Sequence, residues 1–172
     1  MRYTFIAILL CGLGLASPLT AQGTPADTFD GCAFISASDV EAVMGAKLER
    51  KPRTVSRAFG TVSNNGCTYR SQTFTVEVRL ESGRSPDGLE MYLKALGATV
   101  KQTTSGTLKP VSGIGDRAWW GPVDSTNGMF HVVSGTDVLW VQTYGKGPGA
   151  GSLEKTRAIM EKVFAQYRVM RK

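Results

Sequence analysis

The sequence predicts an α+β domain: one antiparallel sheet flanked by about three helices. Three observations carry that expectation. Residues 74–81 alternate apolar and polar without a fault, as a half-buried strand does. Three segments that open near Ser36, Ser85 and Ser152 repeat their apolar residues at spacings of three and four, as helices do. The strand-like runs lie grouped between those helices, which argues antiparallel pairing rather than a doubly wound parallel sheet.

The first helix starts at a capping serine, Ser36 or Ser38, and Ser38 with Glu41 fits a reciprocal capping box. Val40, Val43 and Met44 share a face, and Gly45 stops the helix after about two turns. Residues 47–62 scatter Leu48, Val55, Phe59 and Val62 among basic residues, and read as one or two extended strands around Pro52. Ser63-Asn64-Asn65-Gly66 then carries an Asn-Gly turn signal and is expected to be a loop. Cys67 to Arg70 opens a strand pair with residues 74–81. In the second strand Phe74, Val76, Val78 and Leu80 should point inward, with Thr75, Glu77, Arg79 and Glu81 toward water.

Ser85-Pro86 is a cap followed by proline at the first helical position. Leu89, Tyr92, Leu93 and Leu96 form the apolar stripe of this second helix, and Gly97 is expected to close it. Val100 to Val111 reads as polar and extended. Arg117 to Trp120, Met129 to Val133 and Val138 to Tyr144 read as three strands, the last two joined by a hairpin turn at Ser134-Gly135-Thr136-Asp137. After the glycine-rich loop 145–151, Ser152 caps a final helix. Its stripe runs through Thr156, Ile159, Met160, Val163, Phe164 and Tyr167, and its end is basic, which suits the helix dipole. A hydrophobic-Gly-Ala step ends each of the first two helices, a weak echo that allows two diverged helix-plus-sheet halves.

Residues 1–21 have the three parts of a cleavable secretory signal: Arg2, the uncharged run Phe5 to Leu15, and the break at Ser17 to Ala21. The apolar run falls short of the ~20 residues that span a bilayer. Cys11 is not expected to be lipidated, because Leu9-Leu10 precede it where a small residue is needed. The expected organisation is signal 1–21, a flexible lead-in 22–31 and a single domain 32–172, exported to the periplasm or secreted, with no transmembrane anchor in the mature chain.

Of 20 basic residues, removing Arg2 leaves 19 against 14 acidic ones. A basic exported chain meets anionic lipids, wall polymers or acidic proteins before nucleic acid, so no nucleic acid is expected as a partner. Arg50, Lys51, Arg53 and Arg57 concentrate the charge and read as a solvated strand edge or loop. Cys32 and Cys67 are the two cysteines of the mature chain. An even count in an oxidising compartment predicts a structural disulfide, worth roughly 3–4 kcal/mol in the chain-entropy picture.

No cofactor, metal or catalytic residue is expected. Gly113 to Ala118 matches the dinucleotide fingerprint, but Trp119-Trp120-Gly121-Pro122 follow where a helix must open, so a tight turn is the better reading. The loop 145–151 precedes a helix but lacks the order of a phosphate-binding P-loop. His131, the single histidine, lacks ligand partners for zinc, and no nucleophile motif accompanies it. The aromatic residues are more informative. Trp119 and Trp120 must point to opposite faces, Trp140 and Tyr144 share one, and Arg117 lies beside them. Together these five residues are the candidate recognition surface.

The mature chain resembles small secreted or lipid-anchored bacterial proteins of the DUF3558-like group. The resemblance rests on Cys32 before the helix Ser38-Asp39-Val40-Glu41 to Gly45, on Asn65-Gly66-Cys67-Thr68-Tyr69, on Val111 to Trp120, on Val132 to Leu139 and on the terminal helix. It implies a Mog1/PsbP-like fold serving binding and assembly rather than catalysis, and supplies no active site. The expected function is a non-enzymatic exported domain that binds an envelope protein or a ligand. The alternatives are a cell-envelope hydrolase using His131, or an inhibitor of a hydrolase.

Overall fold

A computed structural model describes residues 30–103, 108–124, 126–146 and 149–172. The architecture is α+β. A 3-10 turn, Gly31–Phe34, precedes helix α1 (Ala37–Met44). Strands β1 (Arg53–Phe59), β2 (Val62–Arg70) and β3 (Phe74–Ser82) follow, then α2 (Pro86–Thr103). Strands β4 (Lys109–Pro110), β5 (Arg117–Pro122), β6 (Gly128–Ser134) and β7 (Asp137–Gly145) lead to α3 (Leu153–Met170). The strands form one seven-stranded antiparallel sheet in the order β1-β2-β3-β7-β6-β5-β4. Two meanders therefore meet where β3 pairs with β7, with Val78 opposite Val141 and Leu80 opposite Leu139.

One face of the sheet carries the main core. Val76, Val78, Leu80, Phe130, Val132, Leu139 and Val141 are fully or almost fully buried there against Ile159, Met160 and Val163 of α3. Each such side chain contributes about 1.5–3 kcal/mol by leaving water. Phe34, Val40 and Met44 extend this core under α1. Tyr69 donates from its hydroxyl to the Ile35 carbonyl at 2.7 Å, and the Cys32–Cys67 disulfide ties the same region to β2.

The helix ends follow side-chain chemistry. Ser36, not Ser38, caps α1 by accepting from the Asp39 amide at 3.0 Å, and Gly45 closes it in the left-handed conformation at φ +80°. The capping box does not form, because Glu41 turns to the Leu48 amide and the Lys47 ammonium. Ser152 caps α3 as expected. Helix α2 runs through Gly97 to Thr103, so the expected stop at Gly97 and the extended reading from Val100 are corrected up to that point. A glycine inside a helix costs only about 1 kcal/mol and does not end it without a left-handed cap.

The larger correction concerns 63–66. These residues are not a loop but the middle of β2, and the turn lies earlier, at Gly60-Thr61, with Phe59 opposite Val62. The Asn-Gly signal is overridden by packing. Asn65 is buried and accepts from the Ser56 hydroxyl at 2.6 Å, while Gly66 sits where a side chain would collide with the Val78 carbonyl and the Arg79 stem. The hairpin Ser134–Asp137 forms as expected, with those residues paired. The signal segment and most of the lead-in lie outside the described residues, as do 104–107 and 147–148 of the two loops.

Candidate functional site

The other face of the sheet is covered only in part. Opposed residues in an antiparallel sheet share a face. The register therefore places Val55, Gly66, Arg79, Trp140, His131 and Trp119 in one row across β1, β2, β3, β7, β6 and β5. Helix α2 lies over the far end of that row, where Leu89, Tyr92 and Leu93 pack with Val133, Val138 and Trp119. Strands β1–β3 lie beyond it. Their uncovered face forms a groove of about 710 Å³ whose lining includes Arg53, Val55 and Arg57 of β1, Thr68 of β2, and Glu77 and Arg79 of β3.

The structure divides the candidate recognition residues. Arg117, Trp119, Trp140 and Tyr144 lie on this second face, whereas Trp120 packs against the main core on the α3 side. Trp119 and Trp120 are both half-buried, so neither projects freely. The Arg117 guanidinium stands 5.8 Å from the Trp119 ring centroid and pairs with Glu90 of α2 at 2.7 Å, closing that end of the face. Trp140 and Tyr144 lie nearer the groove. Burial and the nearby Glu77 carboxylate push the Tyr144 hydroxyl above its ordinary value.

Arg79 joins the groove to the aromatics. Its guanidinium lies over the Trp140 ring at 5.7 Å and pairs with Glu77 at 3.4 Å. Its stem crosses β2 at Gly66, where a Cβ would meet the Arg79 Cδ at 2.5 Å and the Val78 carbonyl oxygen at 2.2 Å. Gly31 also packs on Gly66: a Cβ on Gly31 would come within 2.3 Å of the Gly66 backbone. The Arg79 side chain is 12% exposed, and its Nη1 is buried without a hydrogen-bond partner. On the same face Glu81, expected in water, is buried; it accepts from Asn64 and pairs with Arg84, whose guanidinium covers the Tyr92 ring.

His131 is 2% exposed beneath α2. Burial pushes its ring down to about 3, so it is neutral at ordinary pH. Its Nδ1 lies 3.2 Å from the Tyr92 hydroxyl. Asp116, Asp124 and Asp137, acids that could complete a Ser-His-Asp triad with His131, are engaged elsewhere: Asp116 accepts from the Gly135 amide, Asp124 from Thr126 and Asn127, and Asp137 from Tyr167. The geometry thus does not assemble the exposed His–Asp pair that a hydrolase reading needs. Residues 113–116 bend and lead into β5, not into a helix, which agrees with the turn reading, while the Asp116 carboxylate accepts from Gly135 of the β6–β7 hairpin. Among the described residues no group of three metal-ligating side chains occurs, and no helix is long and apolar enough to cross a membrane.

The sequence alone does not reveal the groove. Its signal was present in the basic cluster from Arg50 to Arg57, but the convergence with Arg70 and Arg79 depends on register. No family model matches the chain, and no curated protein matches it. Among solved structures, the extracellular domain of PknH from Mycobacterium tuberculosis is similar at a TM-score of 0.48 and 14% identity, over 77% of this chain and 93% of that one.

Proposed function

We propose that the chain is an exported, non-enzymatic binding domain. Its contact surface is the uncovered β1–β3 part of the sheet, bordered by Trp140 and Tyr144, and its partner is a component of the cell envelope. The observation that carries this reading is the unequal cover of the sheet. One face is sealed by α1 and α3, while the other keeps a groove of about 710 Å³ open to solvent. A concave site with convergent polar groups is the usual form of a ligand site. Export is supported by the leader pattern and by the Cys32–Cys67 disulfide, a bond that persists in oxidising compartments.

The test is a map of backbone amide shifts with three envelope fractions: lipid, wall polymer and soluble protein. At least one fraction should move the amides of Arg53, Val55, Thr68 and Arg79 and leave α3 in place. Shifts centred on α3, or none with any fraction, would overturn the reading.

A further inference from the structure

We infer that the groove on β1–β3 takes a linear anionic polysaccharide, a glycan with negative charge repeated along its length. The inference rests on the binding reading above and names its ligand class. Six cations line the groove: Arg50, Lys51, Arg53, Arg57, Arg70 and Arg79. A single carboxylate, Glu77, faces them and is held by Arg79. Six cations less one carboxylate leave five net charges here, in a chain whose whole formal charge is +6. The molecule's positive excess is therefore gathered on one concave surface.

The outer five cations form no ion pair among the described residues, although carboxylates elsewhere are paired. Like charges left together repel, which favours an anion that spans them. Arg79 adds a fixed inner contact. Gly66, Trp140 and Glu77 hold it in place at the inner end of the groove. Arg53 and Arg57 lie four residues apart on one strand face, about 13 Å at ~3.3 Å per residue, so one small anion does not reach both.

The surroundings favour a glycan among polyanions. The exposed large apolar side chains that could insert into a bilayer, Met91, Leu153, Val169 and Met170, all lie outside the groove, so a lipid surface would be held there by charge alone. An acidic peptide would meet the same arginines and is separated by the poly-glutamate arm of the test, whereas the polar floor of Thr68 and Glu77 offers hydrogen-bond partners for sugar hydroxyls.

Polygalacturonate is the probe, titrated into the purified protein by calorimetry in low and moderate salt. Uncharged dextran, poly-glutamate and phosphatidylglycerol vesicles are the comparisons. Polygalacturonate should bind and dextran should not. Arg53→Gln with Arg57→Gln should weaken binding at least tenfold and flatten the salt dependence by roughly one to two counterions. Arg168→Gln with Lys172→Gln, at the end of α3, should change it less than twofold. Equal loss from both pairs, equal or tighter binding of poly-glutamate or vesicles, or no binding of polygalacturonate would overturn the inference. Should an envelope fraction move the β1–β3 amides while polygalacturonate does not, the ligand class falls and the binding reading stands. Should polygalacturonate bind but move amides elsewhere, the ligand class falls, and the binding reading falls with it only if no envelope fraction moves the β1–β3 amides.

Discussion

Gly66 and His131 show how single residues set the open face. Gly66 was legible as a glycine that matters but not as what it is. The Asn-Gly pair predicts a turn, whereas the structure uses the missing side chain to let the Val78 carbonyl and the Arg79 stem come close. A methyl group there cannot be accommodated by moving a flexible tip alone, because the Val78 carbonyl is backbone. Gly66→Ala should therefore destabilise the fold by about 2 kcal/mol or more, the usual scale of overpacking, read as a lower urea midpoint. His131 makes a second prediction. Its folded value is depressed to about 3 from an ordinary 6.5, with burial as the cause. Above pH 6.5 both folded and unfolded chains carry it neutral, and its contribution is constant. Below that the unfolded chain takes up a proton that the folded chain refuses, so stability falls by up to about 1.4 kcal/mol per pH unit. Glu41, Asp30, Asp39 and Asp124, also depressed, act in the same direction only below their ordinary values near 4. Urea unfolding between pH 6.5 and 5 should show the loss, and His131→Phe should remove that slope. An unchanged slope in the variant would show that the histidine is not its source.

At the level of elements, legibility followed periodicity. Strand β3 and helix α3 have unbroken patterns, and both were placed within a residue or two. Helix α2 outruns its sequence signal, since Gly97 looks like a stop and the stripe ends at Leu96. Its later turns carry little to bury: Lys94, Ala95, Ala98 and Thr99 are exposed, and Met91 is 72% exposed. Its hold on the sheet comes from Leu89, Tyr92 and Leu93. Amides of α2 after Leu93 should thus exchange with solvent at least tenfold faster than those from Ile159 to Val163 in α3, which lie on the core. Leu89→Ala, which removes the most buried of the three anchors, should speed exchange across the whole helix. If only the last turn responded, α2 would be held by more than this cluster.

Across the whole molecule, neither the sheet order nor the groove was open to sequence reading, and for one reason. Pairing of β3 with β7 brings together segments some sixty residues apart, and no local pattern specifies it. Residue type alone marks the five recognition candidates, whereas the register sends Trp120 to the core side and leaves Arg117, Trp119, Trp140 and Tyr144 on the other. The basic cluster was visible in one dimension; its enclosure required β1, β2 and β3 to lie side by side. That enclosure has a stability consequence which separates a binding groove from a structural one. Cations that served the fold would be paired, and their removal would weaken it. These face one another across about 710 Å³ of solvent, so the empty protein carries their repulsion. Arg53→Gln with Arg57→Gln should accordingly leave the Tm unchanged or raise it by roughly 1–3 °C in low salt, a shift on the scale of a fraction of a kcal/mol for a chain of this size. The gain should shrink in 0.5 M salt, where screening acts on the native protein as the substitutions do, with a Debye length of about 4 Å. Thermal melts of both proteins at the two salt concentrations decide the matter. A Tm that falls by several degrees in the variant at either concentration would make the arginines part of the fold's own support, and the charge would then need no ligand to account for it.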